Sequence, residues 1–255
     1  MKCLDRSNLI SDLGFEKQLK IITITSSIAN EGKSKVAANL AAAIAGVGQK
    51  VLLMDGDMRV PYQHQFWKLP LKKGLSDILA GKSKLNQISW TVMNNLDVIT
   101  AGSRPDNPLS YLESLQMKVL LQEVSSLYDF IIIDTPPLLV AADTISVANS
   151  TDGVLLVSRP GVIDGDSARA AQEKLKMANV HMLGLIVNGV IEQNETENHF
   201  AAANDYFTDE HDPAAPWTDY MTQLGASIAS QSQTETNFTT TTAITLLGKS
   251  SDPNK

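Results

Sequence analysis

Three short runs, KIITIT at 20–25, KVLLMD at 50–55 and DFIIID at 129–134, are apolar at consecutive positions rather than at alternate ones. A strand with one wet face alternates with period two, so an unbroken apolar run marks a strand covered on both faces, as in a parallel sheet. LDVIT at 96–100, GVLLV at 153–157 and MLGLIVN at 182–188 share this character. Between them, 33–47, 112–126 and 165–178 read as helices. Strand and helix alternate, which predicts an α/β fold: a doubly wound, mostly parallel sheet flanked by helices and joined by right-handed crossovers. GLSDILAGK at 74–82 reads as a short helix capped by Ser76 and closed by Gly81. After about Asn188 the pattern is lost, and EQNETENHFAAANDYFTDEHDPAAP is polar, acidic and punctuated by proline. Residues 191–255 are therefore expected to be a flexible tail, in which AITLL offers a short apolar contact.

The loop between the first strand and the first helix carries the chemistry. SIANEGKS, residues 27–34, follows G-x-x-x-x-G-K-[ST] except that Ser27 replaces the first glycine. Strand, loop, glycine-lysine-serine and helix in that order let backbone N–H groups and the positive helix end surround phosphate oxygens. In this reading Lys33 reaches the β and γ phosphates and the Ser34 hydroxyl ligates Mg²⁺. A second strand ends in DGDMR, with Asp55, Asp57 and Arg59 alternating on one face. The third ends in IIIDTPP, which puts Asp134 where a carboxylate holds Mg²⁺ directly or through water. Strand carboxyl ends line the crevice where open α/β sheets bind ligands.

Composition narrows the picture. A chain of 255 residues, 43% hydrophobic but 5% aromatic, suits one aliphatic core. The formal charge of -7 disfavours a nucleic-acid partner. One cysteine, Cys3, fits a reducing compartment, and the cytoplasm is expected. No apolar stretch of membrane-spanning length or secretory leader is visible. His64, His181, His199 and His211 have no metal-ligand spacing.

TSSIANEGKS, LLMDGDMRVP and YDFIIIDTPP resemble the Walker A, A′ and B motifs of bacterial tyrosine kinases, the kinase domains paired with membrane proteins that control capsule and exopolysaccharide chain length. KGLSDILAGK, NLDVITAGSRPDNP, DGVLLVSRPG and LGLIVNGV look like that family's intervening blocks, so the resemblance spans roughly 6–205. It implies a P-loop kinase domain at 20–190, with ATP and Mg²⁺ as cofactors and transfer of the γ-phosphoryl group to tyrosines of the protein's own tail. Carried over, Lys33, Asp55, Asp57 and Asp134 are catalytic, with Asp55 activating the tyrosine hydroxyl. Ser27, Ala29, Asn30, Glu31, Gly32, Lys33, Ser34, Lys35, Arg59 and Asn188 surround ATP, the last at the adenine edge, and Ser34, Asp55 and Asp134 hold Mg²⁺. Tyr206 and Tyr220 are the candidate phosphoacceptors, while Tyr62, Tyr111 and Tyr128 read as packing residues. The family commonly has a small residue other than glycine at the Ser27 position. The partners implied are a membrane chain-length determinant acting as activator, the tail itself and further copies in a homo-oligomer, at the inner face of the plasma membrane.

The chain also departs from that family. Its E-x-x-R-x-x-R assembly helix is matched only at Arg6, with Cys3 in place of the first arginine, so 1–19 reads as a truncated helical segment. Asn30 stands at a turn position and Lys35 follows Ser34; the added cation opposes the helix dipole yet favours an anion. Two other readings stand beside the kinase: a nucleotide-binding regulatory subunit, and a partition or septum-site ATPase. The latter group places a lysine at the second loop position, where this chain has Ile28.

Overall fold

The computed structural model describes residues 19–190 and the backbone of one further strand, Thr241–Thr245. Its elements run β1 (Ile21–Ser26), α1 (Lys33–Gly46), β2 (Val51–Asp55), α2 (Gln63–Phe66), α3 (Leu75–Leu79), β3 (Ser89–Met93), β4 (Leu96–Ile99), α4 (Pro108–Leu112) and α5 (Leu115–Ser125). They continue with β5 (Phe130–Asp134), α6 (Asp143–Ala148), β6 (Gly153–Ser158), α7 (Gly165–Met177), β7 (Met182–Val190) and β8 (Thr241–Thr245).

The strands form one sheet in the order β3-β4-β2-β5-β1-β6-β7-β8. Every pairing from β4 through β7 is parallel, and the two outer strands are antiparallel. The expected doubly wound, mostly parallel sheet is therefore what forms. Its strands are apolar on both faces because each face is covered. Val51, Leu53, Phe130 and Ile132 pack with Val36, Leu40, Ala41 and Ile44 of α1 on one side. Leu52, Met54, Ile131 and Ile133 pack with Leu75, Leu79, Leu120 and Val124 on the other. Fully burying one such aliphatic side chain is worth about 1.5–3 kcal/mol. The alanines of α1 favour the helix intrinsically and let it lie close on the sheet.

Several elements differ from the pattern in the sequence. Ser76 does not cap α3; Gly74 does, and the Asp77 carboxylate accepts its N–H at 2.9 Å. Glycine is needed there because a Cβ would lie 2.1 Å from the Thr100 carbonyl oxygen. Gly81, with φ +71, closes the turn as expected. The helix read across 112–126 is interrupted, since Ser114 accepts the Met117 N–H at 3.2 Å and starts α5 afresh. β3 has no unbroken apolar run in the sequence because it pairs on one side only and its positions are mostly exposed. Residues 241–245, inside the stretch read as a tail, pair with β7. Cys3, Arg6, Tyr206 and Tyr220 lie outside the described residues.

One register sets up the site. In the parallel β2–β5 pair Asp55 stands directly beside Asp134. The turn after Asp55 is held to β5 by the Gly56 N–H, which the Asp134 carbonyl oxygen accepts at 2.7 Å. A Cβ on residue 56 would meet that same oxygen at 2.9 Å. Gly56→Ala is expected to cost about 1–3 kcal/mol through this overpacking. Thermal melting should show a loss of several degrees, and an unchanged melting temperature would contradict the contact.

Candidate active site

The phosphate-type loop leaves β1 at Ser27 and enters α1 at Lys33, with Asn30 at φ 69 and Gly32 at φ 91. Asparagine tolerates the left-handed region better than most residues, so the sequence expectation for Asn30 holds. Gly32 admits no side chain: its conformation is left-handed, and a Cβ would fall 2.1 Å from Asn188 Nδ2. Backbone that changes hand over successive residues turns its N–H groups into an anion-binding concavity. Ser27 is fully buried and its hydroxyl has no partner among the described residues. Ala29, Asn30 and Lys35 are exposed.

Lys33 brings the three motifs together. Its ammonium donates to Asp57 Oδ2 at 3.0 Å and to Ser34 Oγ at 3.1 Å, and lies 3.7 Å from Asp134 Oδ1. Burial opposes its charge, but the carboxylates of Asp134 and Asp57 outweigh that and raise its pKa. Asp55 and Asp134 are both fully buried. Burial pushes the Asp55 pKa well up and the neighbouring Asp134 charge adds to it, whereas the Gln63 N–H pulls the other way. Burial likewise raises Asp134, against the stabilising Lys33 charge and the Gln63 amide.

Asp55 also organises its own loop. Its Oδ1 accepts the Asp57 N–H at 3.2 Å, and its Oδ2 accepts those of Tyr62 and Gln63 at 3.1 and 3.0 Å. Asp57 Oδ1 accepts from Arg59 and Val60 at 3.3 and 2.9 Å. Arg59, expected near ATP, makes a two-pronged ion pair with the buried Asp143, at 2.7 and 3.0 Å. Asp143 carries no motif around it, and nothing in its sequence neighbourhood marks it. Gln63 was equally invisible: it belongs to no motif, yet its amide reaches both Ser34 and Asp134.

Glu31 lies in the loop but its carboxylate turns inward, accepting the Ile28 N–H at 2.7 Å and the Arg159 N–H at 3.2 Å. Asn188 Nδ2 donates to the Glu31 carbonyl oxygen at 2.8 Å. The loop is thereby fastened to the ends of β6 and β7. Among the described residues no group of three or more His, Cys, Asp or Glu side chains is arranged to hold a metal ion unaided. The Ser34 hydroxyl, and an Asp134 Oδ1 with no hydrogen-bond donor, nonetheless fit Mg²⁺, which takes one or two protein oxygens and completes its shell with phosphate and water. Among the same residues no helix is long and apolar enough to cross a membrane.

Residues 19–163 match the AAA domain family AAA_31. The chain is 38% identical to tyrosine-protein kinase YwqD of Bacillus subtilis, over 75% of this chain and 81% of that one. It is 34% identical to the putative tyrosine-protein kinase CapB of Staphylococcus aureus, over 76% and 86%. The chain belongs to the bacterial tyrosine-protein kinase family. It is also 38% identical to tyrosine-protein kinase Etk of Escherichia coli, though over 71% of this chain it spans only 25% of that protein's length. The solved kinase domain of Etk superimposes with a TM-score of 0.69 at 36% identity, covering 74% of each chain. The septum site-determining protein MinD of Pyrococcus horikoshii, solved with Mg-ADP, shares the fold at a TM-score of 0.57 and 23% identity over 84% of this chain and 90% of its own.

The Glu31 contacts generate a pH test. Burial pushes its pKa from 4.5 up to about 7, so the folded protein holds this proton where the unfolded chain releases it. That stability is complete below about pH 4.5 and is lost as the pH rises through about 7. Glu31→Gln removes the titration, so its stability relative to wild type should improve from pH 5 to about pH 7 and level off above that. Urea melts across that range measure this, and a pH-independent difference would refute the raised pKa.

Proposed function

We propose that this chain is an ATP-dependent protein-tyrosine kinase whose site is the crevice between the phosphate loop, Asp55, Asp57 and Asp134. The observation that carries the reading is Lys33 Nζ, placed between Asp57 of the second motif and Asp134 of the third, 3.0 and 3.7 Å away. The relatives named as tyrosine-protein kinases support the acceptor.

In this mechanism the loop N–H groups and Lys33 bind the β and γ phosphates, and Asn188, whose Nδ2 donates to the Glu31 carbonyl oxygen, is the residue assigned to the adenine edge. Ser34 and Asp134 would hold Mg²⁺, while both Asp55 oxygens, expected to join them, are taken by backbone N–H groups; when bound, the ion would draw charge from the phosphate oxygens. The tyrosine oxygen forms a bond to the γ phosphorus as the bond to the bridging oxygen breaks, and ADP leaves. The phenolic proton passes to the Asp55 carboxylate, which its buried surroundings make more basic than a surface aspartate. Arg59, tied to Asp143, stiffens the turn that carries Asp57. Ala29, Asn30, Glu31 and Lys35 shape the loop, and Ser27 fills the position where a glycine would otherwise stand.

The reading extends to exopolysaccharide or capsule synthesis, with a membrane chain-length determinant as activator at the inner face of the plasma membrane. Further copies of the chain would present Tyr206 or Tyr220 to one another's sites. A septum-site ATPase is disfavoured by the packing of the loop: Ile28, where that group carries lysine, lies against the apolar cluster that includes Leu138 and Ile163.

Incubating the full chain with Mg-ATP and the membrane activator should yield phosphotyrosine at Tyr206 or Tyr220 by mass spectrometry. Lys33→Met and Asp55→Asn should each lower that yield by about 100-fold or more, the scale of losing one preorganised charge contact. Nucleotide binding by calorimetry without any phosphotyrosine would make the protein a regulatory subunit instead.

A further inference from the structure

Gln63 touches all three nucleotide-binding motifs and belongs to none of them. Its backbone N–H is accepted by Asp55 Oδ2 at 3.0 Å. Its side-chain Nε2 donates at 2.9 Å to the Ser34 carbonyl oxygen and at 2.9 Å to Asp134 Oδ2. Both neighbours are acceptors, so chemistry fixes which end of the amide is nitrogen. The residue is fully buried. Packing alone would be served there by methionine or leucine at lower desolvation cost.

Two acceptors in this cluster have no hydrogen bond, Gln63 Oε1 and Asp134 Oδ1, the latter facing the Lys33 ammonium only at ion-pair distance, 3.7 Å. They belong to side chains that share one hydrogen bond. A buried acceptor left unmade costs about 1–3 kcal/mol, so two of them on hydrogen-bonded neighbours mark a place for further donors or a second cation. A hydrated divalent ion supplies both, because its bound waters are strong donors.

We propose that Gln63 is a positioning residue for Mg²⁺, its amide N–H fixing Asp134 Oδ2 so that Oδ1 is the oxygen left for the ion, and its Oε1 accepting from a metal-bound water. It acts through Asp134 and water, outside the direct ligand set. Outer-shell partners of this kind set metal affinity about 10–100-fold. The inference rests on the nucleotide-binding part of the proposed function and not on the identity of the phosphoacceptor.

The test uses ADP and Mg²⁺ with the full chain and reads binding only. Gln63→Met keeps length and volume without polar atoms; Gln63→Glu keeps an acceptor but loses the donor. In both, calorimetric affinity for ADP in EDTA should stay within about threefold of wild type. The Mg²⁺ concentration that gives half of the metal-dependent tightening should rise about tenfold or more. Manganese titrations followed by electron paramagnetic resonance, with ADP present, should weaken in parallel. If Gln63→Met does not fold, Gln63→Glu carries the test, and loss of folding in both would mean a purely structural residue. An unchanged Mg²⁺ requirement, or equal loss of affinity with and without the metal, would also overturn the proposal. A wild type that binds Mg-ADP in this way but yields no phosphotyrosine would sink the kinase reading and leave Gln63 its role.

Discussion

Two carboxylates held side by side, out of water, set the terms for everything around them. The β2–β5 register puts Asp55 beside Asp134, and both are fully buried. At the usual strand spacing of about 4.8 Å, two such charges repel by about 3 kcal/mol at an effective dielectric of about 20. Desolvation adds to that. The surroundings answer with the Lys33 ammonium, with three backbone N–H groups on Asp55, and with the Gln63 amide on Asp134. Each compensating group also shapes the site. The N–H groups fold the turn that carries Asp57, Lys33 ties the phosphate loop to the sheet, and Gln63 leaves one oxygen of Asp134 without a donor.

The same economy of contacts governs the loop. Glu31 is spent on backbone N–H groups at residues 28 and 159, and its carbonyl oxygen takes the Asn188 amide. The phosphate end of the crevice is thus coupled mechanically to the strand that supplies Asn188. A displacement of β7 would be felt at Gly32, whose missing Cβ leaves the space that Asn188 occupies. Arg59 and Asp143 make the corresponding link on the other side, between the turn after β2 and α6. The crevice is therefore braced at both ends by charged or amide groups, while its floor is made of aliphatic strands.

Much of this was legible in the chain because two periodicities and one loop spacing carry it. Unbroken apolar runs require cover on both faces, so KIITIT, KVLLMD and DFIIID could only be interior strands, and the residues at their carboxyl ends had to line a crevice. Gly32-Lys33-Ser34 opening an alanine-rich helix announced an anion site, since helix starts and phosphates interact locally. Where local signals compete, tertiary contacts decide between them. Ser76 is a good capping residue by type, but a backbone approach from Thr100 places Gly74 at the helix start instead. Tertiary structure alone decided the partners of Arg59, the inward turn of Glu31 and the place of Gln63. Those depend on strand order and register, which bring residues 84, 128 and 71 positions apart into hydrogen-bonding distance. A sequence records what each residue can donate or accept; which groups meet is fixed only when the sheet has closed around them.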